Sequence, residues 1–503
     1  MTPTKFIHIA DLHLGKRQYN LEERYFDYFR AFKWILKRSI KEKVDFILIS
    51  GDLFDNRKVG PSVLTDVFNI IQNFNQKAKE VLQRKIPIIC IEGNHDNPIY
   101  SNQSWMTFLA DLGLIVLLSG TYDKNNEKMS FDPYNESDHR GGMIEIDGIN
   151  IYGIPFYGSS SSYLFEPIYH SIKENKSNCN ILMMHFGIEG YDTTKPGIKI
   201  TKEFEKLHRK IDYLALGHYH MLFKEPKKDP WIFNPGSLEV NDLKEIFNNY
   251  TRGALLVSCT GKEIRPIPIE CENGEKNPDL IPNRRFLNFS PIDISKTSSF
   301  KDSIDLVIET LKKSGLEEQE SKNNEDKSDL NLPIVLFSIK GEIPYSRLDV
   351  NINQVRQEII KHFSVLGVRI FSPYLFSNLD DIIVSEEERS IDEIENEVFN
   401  ALVKENPLFQ GLERGVVNIL KDIKSDLLTS KPNYHNIKEH IKAWCLKNAN
   451  SFEIPKRGFS EEKKIEDLQN EDLEINLDET SSEIEEDIDL DDFIDDIDDY
   501  EEE

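Results

Sequence analysis

Up to about residue 270 the chain alternates short apolar runs with stretches of helical spacing, separated by turn residues. This alternation predicts layered α/β structure. The strand-like runs lie at residues 6–10, 46–50, 86–91, 149–154, 181–184 and 213–216. Between the first two, Phe26, Phe29, Ala31, Phe32, Ile35 and Leu36 recur at helical spacing, and Pro61 fits the first turn of another helix. The pattern restarts over residues 284–378. Strands are expected near Phe286, over 334–339 and over 368–371, and a helix carries Phe300, Ile304, Val307, Ile308 and Leu311 on one face. The charged stretch 317–329 lacks periodicity and reads as a solvated loop. From residue 390 to about 448 the pattern is helical. Ser390 and Glu393 have capping-box spacing, Val416, Leu420 and Ile423 mark one face, and Ile437, Ile441 and Trp444 mark another.

Charge sharpens this division. The net charge of the 503 residues is −27, but residues 461–503 alone hold 23 acidic and 2 basic side chains. The first 460 residues therefore carry only −6, a modest repulsion toward a polyanion, and the tail reads as disordered. The five cysteines (Cys90, Cys179, Cys259, Cys271, Cys445) are scattered with no Cys-x-x-Cys pair, which argues for a reducing compartment and against a thiolate zinc site. No signal-peptide pattern is present, and no apolar run reaches the roughly 18 residues of a membrane span.

Candidate chemistry comes in five blocks: Asp11-Leu12-His13-Leu14-Gly15, Gly51-Asp52-Leu53-Phe54-Asp55, Gly93-Asn94-His95-Asp96, His185 before Phe186-Gly187, and Gly217-His218-Tyr219-His220. Each follows a strand-like run directly or within a residue or two. Ligand sites in α/β sheets gather beyond the carboxyl ends of strands, so five such blocks converge on one crevice. Carboxylate, imidazole and amide oxygen without thiolate suit Mn²⁺, Fe²⁺ or Zn²⁺. In Asp-x-His and His-x-His, residues i and i+2 of extended chain point the same way and can reach one metal cluster. The remaining histidines, including His8 inside the first strand, read as structural.

These blocks resemble the signature of calcineurin-like metallophosphoesterases, and more narrowly the SbcD/meiotic-recombination-eleven type of DNA double-strand-break repair nuclease. The match covers roughly residues 5–240 and extends more weakly to about 380; Asn234-Pro235-Gly236-Ser237 belongs to it. The resemblance implies a layered β-sandwich core with helices outside over residues 1–270. It also implies a small α/β capping, DNA-binding domain over 284–380, a helical partner-docking segment over 390–449 and an acidic tail over 460–503. Asp11, His13 and His220 would hold one metal, Asn94, His185 and His218 another, and Asp52 would bridge them. His95 would be a catalytic non-ligand oriented by Asp96. Two Mn²⁺ per chain are implied, with Mg²⁺, Fe²⁺ or Zn²⁺ as substitutes, about 3.5–4 Å apart and clamping the scissile phosphate. Asp55 departs from many relatives, which carry histidine there.

The implied activity is 3′-to-5′ exonuclease and structure-dependent endonuclease action on double- and single-stranded DNA ends. Alternatives are a phosphatase or cyclic-nucleotide phosphodiesterase with the same core, and a DNA-end scaffold whose catalysis is dispensable. Candidate phosphate contacts are Lys16, Arg17, Tyr19, Arg57, Lys58, Lys195 and Lys199, on loops beside the blocks. No phosphate-binding Gly-x-x-x-x-Gly-Lys-Ser/Thr loop occurs. ATP chemistry would belong to a Rad-fifty/SbcC-type coiled-coil ABC ATPase. A homodimer through helices near 62–82 and 101–112, and a cytoplasmic or nucleoid location (nuclear in a eukaryote), complete the expectation.

Overall fold

The computed structural model describes residues 3–97, 103–192, 195–319, 327–343, 350–376, 399–400, 403 and 412–427. The chain divides into two units, 1–378 and 379–503. In the first unit, strands Thr4–Ile9, Phe46–Ser50, Ile88–Ile91 and Val116–Leu118 lie parallel, side by side. Gly253–Thr260 pairs antiparallel with Thr4–Ile9, and Glu263–Asn273 and Ile281–Asn283 extend that edge. A second sheet sets Ile149–Gly153, Asn180–His185, Tyr213–Gly217 and Ile232–Asn234 parallel, with antiparallel strands at both margins.

The two-residue period of a strand explains the layers. Phe6, Phe46, Leu48, Ile89 and Ile91 from the first sheet meet Ile149, Ile151, Ile181, Met183 and Tyr213 from the second in one sealed cluster. The alternate residues, Ile7, Ile9, Ile47, Ile49 and Cys90, pack outward beneath helices Glu22–Lys41, Pro61–Leu82 and Trp105–Asp111. Leu182, Met184, Leu214 and Leu216 do the same on the other side, with helix Phe165–Ser171. Burial on both faces is why these strands read as continuous apolar runs. His8 lies inside the sandwich, as a structural histidine. Its ring contacts Tyr213 Oη, Ser50 Oγ and the Leu216 carbonyl at 3.0–3.1 Å, and burial pushes its pKa down to about 3.

One expectation changes in the first helix. Phe26 is 42% exposed, whereas Tyr25 and Tyr28 are buried. The tyrosines can enter the core because their hydroxyls find acceptors, Asp66 for Tyr25 and the Val240 carbonyl for Tyr28.

A third, smaller sheet follows. Phe286–Asn288, Ile292–Asp293 and Gly367–Phe376 all run parallel to Ile334–Glu342. Helices Phe300–Lys313 and Ile352–His362 pack on it through Ile304, Val307, Leu311, Val355 and Ile359. Arg284 ties it to the sandwich: its guanidinium grips Asp27 at 2.8 and 2.9 Å and donates to the Asp329 and Leu332 carbonyls. Asp27 also pairs with Arg24, which lies 3.3 Å from Glu239, and all four side chains are buried. In the second unit, helix Glu413–Leu427 contributes Val416 and Val417 to a small cluster with Val403. The capping box at 390–393, the face at 437–444, residues 320–326 of the charged loop and the acidic tail lie outside the described residues. No helix among the described residues is long and apolar enough to cross a membrane.

Candidate metal centre

The five blocks meet at the carboxyl-terminal ends of the central strands. Asp11 and His13, Asp52, and Asn94 follow strands of the first sheet, while His185 ends one strand of the second and His218 and His220 follow its neighbour. Three blocks therefore come from one sheet and two from the other. The turns that aim these side chains inward are tight. Asp11, His13, Asp52 and His218 all have left-handed backbone, with φ of 55°, 49°, 54° and 90°. Each such conformation costs on the order of 1–3 kcal/mol, and strain of this kind concentrates at functional sites. Gly93 permits the closest approach: a Cβ there would sit 2.1 Å from Asp52 Oδ1.

Two groups of lone pairs result. In the first, His13 Nε2 lies 3.3 Å from His220 Nε2 and 4.0 Å from Asp52 Oδ2, and His220 Nε2 lies 3.9 Å from Asp11 Oδ1. In the second, Asn94 Oδ1 lies 3.2 Å from His185 Nε2 and 3.0 Å from His218 Nδ1. Asp52 Oδ2 is 3.3 Å from the same His185 nitrogen, so this carboxylate faces both groups. The tautomers follow from the outer partners. His185 Nδ1 donates to the Ser50 carbonyl at 2.7 Å, and His220 Nδ1 donates to Glu245 Oε1 at 2.8 Å. Each neutral ring is then left with an Nε2 lone pair pointing at other acceptors. Acceptors aimed at one another within 4 Å need a proton or a cation between them. Three overlapping sets among the described residues, Asp11/His13/His220, His13/Asp55/His95 and Asp11/Asp52/His185, have metal-ligating spacing. Asn94, an amide, completes the second group.

Electrostatics agree with this reading. Burial opposes charge on His185, but Asp52 and then Asp11 outweigh it and raise its pKa to about 9. Asp52 is likewise buried, yet His185 and His13 hold its carboxyl well below the usual range. Burial, with His185 and Lys195 nearby, pushes His218 down to about 2. A proton on His185 thus does in the metal-free protein what a cation would do in the loaded one.

The surroundings of His95 differ from expectation. Its Nδ1 donates to the Asp55 carbonyl at 2.6 Å, and its ring stands edge-on to His13. Asp96 does not orient it. The Asp96 carboxylate instead accepts the Leu53, Phe54 and Gly93 amides at 3.0–3.1 Å, stitching the Asp52 loop to the Asn94 loop. Spacing along the sequence could not distinguish a side-chain partner from a backbone clamp. Two carboxylates not assigned from sequence back the ligand histidines: Glu245 on His220, and Asp55, whose Oδ1 lies 3.4 Å from His13 Nδ1 and 3.3 Å from Lys16 Nζ. Phe156 also closes the site against His185 and His218, each ring centroid 5.9 Å away.

The basic residues divide. Arg57 and Lys58 are exposed, and Lys199 is exposed beside Glu189. Lys195 donates to the His218 carbonyl, at the site itself. Arg17 is clamped on Glu22 and lies over the Tyr25 ring. Tyr19 turns into the apolar cluster beneath the third sheet with Arg369 over its ring, so its face is taken up by packing.

A family model described as calcineurin-like phosphoesterase matches residues 4–222, the span that supplies every candidate ligand of this centre. Residues 4–222 of the chain thus carry a calcineurin-like phosphoesterase domain. Within that family its resemblance is to the Mre11 type. It is 29% identical over 314 residues to the DNA double-strand break repair protein Mre11 of Saccharolobus solfataricus, covering 57% of this chain and 73% of that one. The protein of the same name from Sulfolobus acidocaldarius is 24% identical over 401 residues, covering 75% and 89%. That from Methanosarcina mazei is 28% identical over 243 residues, of which the matched part is 48% of this chain and 34% of the longer relative. A phosphoesterase of this family binds divalent metal and hydrolyses phosphate esters, and the carboxylate–imidazole–amide donors of this chain suit such ions.

Proposed function

We propose that this phosphoesterase is a manganese-type DNA nuclease that processes double-strand ends in repair, as a 3′-to-5′ exonuclease and structure-dependent endonuclease. The observation that carries the reading is the pair of lone-pair groups sharing Asp52, in a chain whose relatives bear the name of a double-strand-break repair protein. Asp11, His13 and His220 would hold one ion, Asn94, His185 and His218 the other, and Asp52 would bridge them. Two bound ions supply charge neutralisation at the phosphate and a water acidified toward neutral pH. The chain's own residues do the rest. With Nδ1–H fixed on the Asp55 carbonyl, His95 presents Nε2, which when protonated can donate to the leaving 3′ oxygen as the P–O bond breaks. Asp96 keeps the two bearing loops in register. Lys16, Arg57, Lys58, Lys195 and Lys199 would contact phosphates without reading bases.

Partners follow the same reading. The third sheet would cap the DNA, and the 390–449 segment, of which helix Glu413–Leu427 is described, would dock a coiled-coil ABC ATPase. Trp105, Phe108, Leu112 and Val81 are large apolar residues left 37–47% exposed on the Trp105–Asp111 and Pro61–Leu82 helices or at their end, which supports a homodimer there. The working location would be the cytoplasm or nucleoid, or the nucleus in a eukaryote. The test is end-labelled duplex and hairpin DNA incubated with the purified protein and Mn²⁺. Stepwise shortening and hairpin opening are expected; intact DNA alongside rapid cleavage of phosphomonoesters would sink the nuclease reading.

A further inference from the structure

The two lone-pair groups are not backed alike. Behind the Asp11/His13/His220 group stand two carboxylates. Glu245 Oε1 accepts from His220 Nδ1 at 2.8 Å, and Asp55 Oδ1 faces His13 Nδ1 at 3.4 Å. Behind the Asn94/His185/His218 group, the outer partner of His185 is a neutral carbonyl, that of Ser50, and Asn94 is itself neutral. Glu245 is a built feature rather than a passing contact. It is buried, accepts the Asn241 and Asp242 amides at 3.1 and 3.0 Å, and has Arg252 Nε 3.6 Å from its other oxygen. Its carboxylate therefore cannot swing away from His220. His13 Nδ1 is buried without a hydrogen-bond partner, and Asp55 Oδ1, 3.4 Å away, is the carboxylate placed to face it when Nε2 binds a cation.

A carboxylate behind a ligating imidazole fixes its tautomer, aims its lone pair and raises its basicity. The first group combines the Asp11 carboxylate, the shared Asp52 and two outer carboxylates around its ion; the second draws on Asp52 and on Asp11, which also lies within ligating reach of His185, but has no outer carboxylate behind His185. We infer that Glu245 and Asp55 are positioning residues that make the Asp11/His13/His220 position the tighter of the two, so that it fills first and the Asn94 position fills at higher metal concentration. This rests on the metal-centre reading above. It adds that the second, weaker ion is the one whose availability sets activity when metal is scarce.

Manganese titration of the full chain, followed by electron paramagnetic resonance of free Mn²⁺ and by calorimetry, tests the inference without reference to activity. Two classes of site are expected in the wild type. Asn94→Ala should remove only the weaker class. Glu245→Gln and Asp55→Asn should each weaken the tighter class by about 10–100-fold and leave the weaker one within about twofold, as loss of an outer-shell partner does. Glu245→Asp, which keeps the charge, should recover part of the loss. Circular dichroism melts identify any variant that fails to fold, and the half-buried Asp55 provides an independent arm if Glu245→Gln does. The inference is overturned if Asn94→Ala removes the tighter class, or if Glu245→Gln and Asp55→Asn leave it unchanged or weaken the other. Absence of any manganese uptake by the wild type would instead reject the metal-centre reading itself.

Discussion

His185, His220 and Asp52 are held by partners outside the lone-pair groups, and that shell makes the behaviour of the centre testable residue by residue. His185 provides a pH dependence with a definite sign. Its pKa in the metal-free fold is raised to about 9 from the ordinary 6.5, because Asp52 and Asp11 overcome the effect of burial. The charged pair stabilises the metal-free protein fully below about pH 6.5, and this contribution is lost as pH rises through about 9. Because a cation must displace that proton, manganese affinity should climb across the same window. Calorimetry at pH 6, 7.5 and 9 checks this, and a flat profile would contradict the role of His185. His95→Ala is expected to lower cleavage by about 10²–10⁴-fold while both ions still bind, since its ring nitrogen is committed to a carbonyl rather than to the metal groups. Loss of metal in that variant, read by the same calorimetry, would place His95 among the ligands.

Elements position these residues through contacts that periodicity does not encode. The first helix, Glu22–Lys41, carries Arg24 and Asp27, whose buried pairing with Arg284 and Glu239 joins the sandwich to the third sheet. From Arg24 a chain of hydrogen bonds runs through Gln18, the Asn241 carbonyl and the Asn241 amide to Glu245, and from there to His220. Arg284→Ala leaves Asp27 short of one buried partner and should cost about 3–5 kcal/mol, measurable by urea denaturation. A loss under about 1 kcal/mol would show that the network is not what seats the third sheet. Other elements were hidden from pattern reading for a different reason. Glu263–Asn273 contains Pro266 and Pro268, which count against a strand, yet it pairs along its length with Gly253–Thr260. The prolines are two residues apart, so their missing N–H groups face one side, and that side meets a neighbour only at Cys271–Asn273.

At the scale of the whole molecule the two units make separate predictions. Residues 1–378 contain every ligand candidate and the third sheet. On the proposed function, a chain ending at Asn378 is expected to retain metal-dependent DNA cleavage and to lose association with the proposed ATPase partner. Undiminished co-purification of that partner would remove the docking role from the second unit. Much of this architecture was legible in the residues alone. Short continuous apolar runs marked six of the central strands to within two residues at either end, and Asp-x-His, Gly-Asn-His-Asp and His-x-His after those strands marked the chemistry, because both signals are local along the chain. What only the tertiary structure decided is pairing between distant residues. It set Asp96 on three backbone amides instead of on His95, and gave His95 the Asp55 carbonyl. It also brought Glu245, 25 residues beyond His220 in the chain, onto that ring. Side chains of one type can make either contact, and the choice depends on how two sheets and a short helix close over one another in space.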